Sequence, residues 1–335
     1  MRINSVSLLN VRNHRKVSFD LYEETLFSGQ NGSGKTTVLE AVYLLLAMKG
    51  FKKQAISKIV SFNESFMVIK GEVEGEYISD ISLKYDGKKT FSSNGTVIEK
   101  ISDYIYSNPT ACFSPDYQGV LSKDQSERRS FADRFAFYAD KAHMDDVRTY
   151  NRLISQKTAE FESPFPDKTY IEVLNQEIER LSYIISSRRK NILSKINEDL
   201  EQVYKNADIK IEPVFVGYSS NINDKDILKN ELSKKRCDYG IHRDKIDMYL
   251  DGEKIEKFSS FGQKKTFALL CLLGAIKYIE NLRKISIIAL LDDFEAGLDL
   301  NRASLLKSNF SSGRQAIYTG VDNARLGFEK NIILQ

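Results

Sequence analysis

The chain has 335 residues, enough for one large or two modest domains at about 150 residues each. Its composition, 41% hydrophobic and 28% charged, suits a packed core and excludes a disordered, collagen-like or mucin-like chain. Lysine plus arginine exceed aspartate plus glutamate by 49 to 46, a formal charge of +3 that neither demands nor excludes a polyanionic partner.

The longest apolar run, Phe267 to Ile276, is short of the about 20 residues that cross a bilayer, so no membrane partner is expected. The start lacks the apolar segment and small-residue cleavage site of a secretory signal. Cys112, Cys237 and Cys271 are scattered and form no C-x-x-C pair. These features predict a soluble protein of a reducing cytoplasm. Basic clusters such as Arg188-Arg189-Lys190 and Lys234-Lys235-Arg236 are solvated faces in most proteins.

The predicted elements begin with strands. Ile3, Val6, Leu8 and Val11 lie among polar residues, and Val17, Phe19 and Leu21 alternate with Ser18 and Asp20. The apolar stretch Thr25-Leu26-Phe27 then runs into a Gly-rich loop, and strong helix-forming sequence follows from Lys35. Residues 66–100 pattern as a β-meander with Asp86-Gly87 as a hairpin turn. A long helix is expected from Glu172 to Tyr204, its stripe made of Leu174, Ile178, Leu181, Ile185, Ile192, Ile196, Leu200 and Val203, with Arg188 at one apolar place. Strand-like sequence returns near Ile209, and the last hundred residues alternate strands and helices. The order is α/β, then α, then α/β. It predicts one discontinuous α/β head of mixed sheets interrupted by an α-helical arm, rather than two sequential domains: residues 1–125, an insertion 126–235, and residues 236–335.

Gly29-Gln30-Asn31-Gly32-Ser33-Gly34-Lys35-Thr36 fits the phosphate-loop pattern G-x-x-x-x-G-K-[ST] at a strand-to-helix junction. Its glycines let the backbone wrap so that successive N–H groups, those of Lys35, Thr36 and Thr37 included, meet phosphate oxygens at the positive end of a helix. Lys35 is assigned to the β- and γ-phosphates and Thr36 to Mg²⁺. The run Ile285 to Leu291 reads as a strand buried on both faces, ending in Asp292-Asp293 at the edge where parallel sheets bind ligands. Asp292 is the expected metal-side acid. Asp293 is the expected group that orients or deprotonates the attacking water. Ser260-Phe261-Gly262-Gln263 opens another apolar helix; alone it reads as a helix cap. Combined with a phosphate loop it suits a turn that one copy offers to the nucleotide of another.

Here the chain resembles the RecF family, short-armed relatives of the SMC and ABC-type ATPases. The resemblance rests on Asn10-Val11-Arg12-Asn13, the block Gly29 to Ala41, Phe113-Ser114-Pro115-Asp116, Glu127 to Asp133, Gly240-Ile241-His242-Arg243-Asp244 and Leu291-Asp292-Asp293-Phe294, in family order. It implies an ATP- and Mg²⁺-dependent homodimer with slow, DNA-stimulated ATP hydrolysis. Its partners would be double-stranded and gapped DNA, together with RecO and RecR in loading RecA during DNA repair and the damage response.

It further implies that Ser260, Gly262 and Gln263 form the signature motif acting on a partner's nucleotide, and that Arg12 contacts nucleotide or DNA. Arg128 and Arg129 would brace head against arm, and His242 would be structural. Phe261, Gly297 and Ile241 depart from the family pattern, and Thr319-Gly320 stands where ABC transporters carry a switch histidine. Two rival readings stay open: an ATP-binding adaptor without significant turnover, and a RecF-like ATPase repurposed for phage defence or nuclease regulation.

Overall fold

The computed structural model describes residues 1–50, 55–75, 77–115, 122–206, 214–321 and 326–334. Asp116, the strand-like start near Ile209 and the side chains of Val203 and Tyr204 lie outside the described residues. The chain forms two compact units: Met1–Gln118 with Phe261–Gln335, and Gly119–Ser260 inserted between them.

In chain order the first unit supplies β1 (Arg2–Val11), β2 (His14–Asp20), β3 (Glu24–Gly29), α1 (Lys35–Ala47), β4 (Met67–Glu74), β5 (Ile78–Tyr85), β6 (Lys89–Ser93), β7 (Thr96–Val97), α2 (Ile101–Ser107) and β8 (Thr110–Phe113). The inserted unit supplies α3 (Gln125–Ala139), α4 (His143–Glu162), α5 (Lys168–Asn206), β9 (Val214–Ser219), α6 (Lys225–Lys234), β10 (Lys245–Leu250), β11 (Glu253–Lys254) and α7 (Ile255–Phe258). The first unit resumes with α8 (Phe261–Arg283), β12 (Ile288–Leu291), α9 (Leu300–Ser311), β13 (Ala316–Gly320) and β14 (Lys330–Leu334).

In the first unit a six-stranded antiparallel sheet, ordered β2-β1-β4-β5-β6-β7, and a five-stranded parallel sheet, ordered β14-β3-β13-β12-β8, share one core. Strict alternation would put Ile3 and Val6 on opposite faces, yet both are fully buried; the β1–β4 register shifts between Ile3 and Ser5, a bulge that returns Val6 to the core side. The expected hairpin at Asp86-Gly87 joins β5 to β6. Helix α1 packs in the cluster that draws on both sheets, which is why Val38 to Ala47 are buried all round. The short run Ile288–Leu291 is buried throughout and pairs in parallel with β8 and β13, as its apolar sequence requires.

The inserted unit takes in residues 236–260, which the sequence reading assigns to the second half of the head. The reason is strand pairing: β10 pairs antiparallel with β9, and β11 closes the three-stranded sheet β11-β10-β9. The expected stripe of α5 is buried, Leu174 to Ile185 against Tyr150, Tyr239 and Ile241. The interruption falls one residue later than the pattern indicates. Arg188 is half-buried against Asp140 and Asp146, whereas Arg189 is 3% exposed. Its guanidinium reaches both Asp133 oxygens (2.7 and 2.8 Å), Asp244 (2.8 Å) and the Ile241 carbonyl (2.9 Å). Burial pushes the Asp133 carboxyl up, but Arg189 and the His143 hydrogen bond hold it at about 2.

Arg128 binds Ser122 O, Ile246 O and Glu256, and Arg129 binds Asp244 O, all within the inserted unit. His242 spans the Tyr150 hydroxyl (2.7 Å) and the Cys237 carbonyl (2.9 Å), and burial lowers its pKa, so it packs as a neutral structural group.

Candidate nucleotide-binding site

The carboxyl ends of β3, β12 and β13 lie side by side, with Phe27 opposite Thr319 and Leu291 opposite Tyr318. The residues that follow these strands therefore meet at one edge of the sheet, where α/β folds bind ligands. From β3 the chain enters the Gly-rich loop, turning at Gly29 (φ 143°), Gly32 (φ 88°) and Gly34 (φ 94°) before α1 begins at Lys35. Gly34 has no room for a side chain: a Cβ there would lie 2.2 Å from His14 Nε2 and 2.7 Å from Asn13 Nδ2. Gln30, Asn31 and Gly32 are exposed. Lys35 is 7% exposed, and its Nζ donates to the Gly29 and Gln30 carbonyls (2.7 and 3.0 Å), which holds the ammonium at the loop. Thr37 is buried in the first turn of α1, and Ser33 Oγ is buried with no hydrogen-bond partner among the described residues.

The acidic strand end reaches this helix start. Thr36 Oγ1 donates to Asp292 Oδ1 (2.9 Å), and Thr319 Oγ1 donates to the same oxygen (2.6 Å). Asp292 is 2% exposed, so a buried carboxylate is oriented by hydroxyls from α1 and β13. These are hard oxygen donors, which suit Mg²⁺. Among the described residues no group of three or more His, Cys, Asp or Glu could hold a metal unaided. A divalent ion here would complete its shell with phosphate and water.

Asp293 adopts a left-handed conformation (φ 49°), its N–H bound to Thr319 Oγ1 (2.9 Å); among the described residues its carboxylate makes no hydrogen bond or ion pair. Glu295, two residues on, lays its carboxylate over Gly320 and accepts from the Val321 N–H; burial pushes its pKa up.

Arg12, in the tight β1–β2 turn (φ 49°), is engaged by Glu40 of α1 (2.5 Å), itself 1% exposed. Asn13 Nδ2 donates to the Gly32 carbonyl (3.4 Å), and His14 Nε2 lies 3.3 Å from the Gly34 carbonyl. This turn therefore braces the phosphate loop.

Of the signature residues, Ser260 ends the inserted unit and is exposed, while Gly262 and Gln263 lie in the first turn of α8. Gly262 sits against the carbonyl of Gly297: a Cβ would approach it to 2.4 Å. Phe261, 62% exposed, lies across Gly297 (φ 77°), where a Cβ would come within 2.7 Å of the ring. Phe261 and Gly297, two of the departures from the family pattern, are thus one fitted pair. Lys265, 3% exposed, donates to the carbonyls of Asp293 and Ala296 and ties α8 to the acidic loop.

Thr319, His14, Asn13 and Lys265 are absent from the site as read from the sequence. Asn13 carried a signal in the family-like start Asn10–Asn13, and Thr319 in the place where ABC transporters carry a switch histidine.

Residues 1–266 match the family model for an AAA ATPase domain. The chain is 30% identical to the DNA replication and repair protein RecF of Chlorobium limicola, covering 96% of each sequence. It is also 30% identical to RecF of Agathobacter rectalis, covering 96% of this chain and 93% of that protein. A solved structure of the recombination mediator protein RecF with ATP, from the RecFOR pathway, superposes with a TM-score of 0.85 at 23% identity, covering 99% of this chain and 97% of the other. An SMC head bound to the winged-helix domain of ScpA superposes at 0.58 and 16% identity, covering 99% and 93%. The fold is that of the RecF and SMC-head ATPases. With its phosphate loop, its acidic strand and its near full-length similarity, the chain belongs to the RecF family of DNA replication and repair proteins.

Proposed function

We propose that the chain is an ATP-gated DNA clamp: it binds Mg-ATP, closes as a homodimer, engages double-stranded and gapped DNA, and is released by slow hydrolysis. The observation that carries this reading is the junction of Thr36, Asp292 and Thr319 at the mouth of the Gly29–Thr37 loop. The loop N–H groups and the Lys35 ammonium bind the β- and γ-phosphates. Thr36 and Asp292 hold Mg²⁺, which when bound neutralises charge on the phosphate oxygens. Asp293, its carboxylate free of hydrogen bonds among the described residues, receives the proton of the attacking water.

Arg12, fixed beside the loop by Glu40, contacts nucleotide or DNA from that place. Ser260, Gly262 and Gln263, at the start of a 23-residue helix, face the nucleotide of the second copy. ATP contacted by two copies only in the closed state shifts the population towards it, and hydrolysis reverses the shift. Family membership supports a place beside RecO and RecR in supplying RecA to gapped DNA, and stimulation of turnover by DNA.

The test is mass by light scattering with and without Mg-ATP, using Asp293→Asn to retain nucleotide and Lys35→Ala as control. A nucleotide-dependent doubling seen in Asp293→Asn and absent in Lys35→Ala is expected. A monomer under every condition would overturn the clamp. Doubling with turnover unaffected by Asp293→Asn would favour an ATP-binding adaptor.

A further inference from the structure

Beyond Leu291 the hydrogen-bonded seam between the acidic segment and β13 is carried on partly by side chains. The Phe294 N–H donates to the Thr319 carbonyl (2.9 Å), and the Asp293 N–H to the Thr319 hydroxyl (2.9 Å). At Val321 the acceptor is no carbonyl: the N–H is taken by the carboxylate of Glu295. Its other oxygen, Oε2, is buried with no hydrogen-bond partner among the described residues, so one accepting oxygen makes the tie.

Gly320 lies between Thr319 and Val321, buried and inside β13. Its φ is not positive, so its backbone would accept any residue. What leaves no room for a side chain is Glu295: a Cβ at Gly320 would lie within 2.5 Å of Cδ and both carboxylate oxygens. Glycine and carboxylate are therefore a fitted pair, as Gly297 and the Phe261 ring are. On the far side of Gly320, in register on β3, stands Ser28, next to the start of the phosphate loop. The loop from Asp293 to Ala296 is held to α8 by Lys265, which donates to the carbonyls at its two ends. Glu295 fastens the middle of the same loop to β13.

We propose that Glu295 is a positioning residue for ATP hydrolysis: by tying the Asp293–Ala296 loop to Gly320 and Val321, it sets the direction from which Asp293 meets the attacking water. The proposal rests on the reading that Asp293 receives the proton of that water. Proton transfer depends on placement, and a shift of about 1 Å can cost about 10²-fold in rate. Phosphate binding depends instead on the loop N–H groups and Lys35, carried by β3 and α1. Loss of the tie therefore falls on kcat and leaves affinity for the nucleotide in place.

The experiment is steady-state hydrolysis of Mg-ATP by the full chain, with equilibrium binding of a fluorescent ATP analogue measured beside it. Glu295→Ala is expected to lower kcat at least about fivefold, with the dissociation constant of the analogue within about twofold of the parent. Glu295→Gln keeps an oxygen for the Val321 N–H and should hold kcat within about threefold of the parent. Gly320→Ala displaces the carboxylate and should be as slow as Glu295→Ala, yet add no further loss when combined with it. A parental kcat in Glu295→Ala, or a Glu295→Gln as slow as Glu295→Ala, would overturn the proposal. So would a Gly320→Ala loss of equal size with and without Glu295, or a loss carried wholly by weaker binding of the analogue. A parent that binds the analogue and hydrolyses no ATP would overturn the hydrolysis reading itself, and the proposal with it.

Discussion

Lys265→Met separates the cost of a buried charge from its use. The Lys265 ammonium sits 5.9 Å from the Phe113 ring centroid and donates to two carbonyls of the loop that follows Asp292. Burial draws its pKa from 10.5 down to about 8, the carboxylates of Asp293, Glu295 and Asp292 pulling only partly the other way. Between these values the unfolded chain binds a proton that the folded chain does not, so this group makes stability rise with pH. The fall is worth about 3 kcal/mol, of which about 2 kcal/mol is recovered between about pH 7 and about pH 9.5.

Methionine keeps the length and apolar stem but has no proton to lose. In urea unfolding, the parent should therefore gain about 2 kcal/mol on Lys265→Met over that pH range. The variant should also turn over ATP more slowly, because the loop carrying Asp293 loses two restraints. An identical parent-to-variant difference at both pH values would refute the reasoning.

Thr319→Val removes the hydroxyl that donates to Asp292 and accepts from the Asp293 N–H. It should cost about 1–3 kcal/mol in unfolding free energy and lower kcat more than it raises KM for ATP. Gly297→Ala meets both a positive φ and the Phe261 ring. Unfolding free energies across a cycle with Phe261→Ala should show partial rescue, the residual about 1–2 kcal/mol reporting the left-handed backbone. Arg189→Ala leaves Asp133 and Asp244 buried without their cation and should destabilise the inserted unit by about 3–5 kcal/mol in denaturant. In the parent, Asp133, held at about 2, contributes stability above its ordinary range that is lost as pH falls from about 4 to about 2; acid titration by circular dichroism reads this.

The nucleotide site is written in short stretches of chain, and that is why it is legible without coordinates. A phosphate loop must place glycines, a lysine and a hydroxyl within eight residues, because they wrap one ligand from one turn. An acid at the end of a buried strand is marked by the apolar run before it. The helical insertion shows in the 3.6-residue period of α5, and the meander in the alternation of β4 to β6.

What escapes such a reading depends on residues far apart in the chain. Arg12 matches the family start, but its partner Glu40 is 28 residues away and appears only once β1 and α1 share a core. His14 and Asn13 reach the phosphate loop because the β1–β2 turn folds over it. Phe261 and Gly297 each look like a defect until the ring is seen lying on the glycine. Arg189 rather than Arg188 is the buried cation, because the carboxylates that meet it come from α3 and the segment before β10. The inserted unit runs to residue 260 because β9 finds its partner in β10, beyond the last helix the pattern reveals. Local periodicity encodes which segments are helices, strands and phosphate-binding turns; pairing between distant segments, which buries one face and leaves another open, settles which side chains meet.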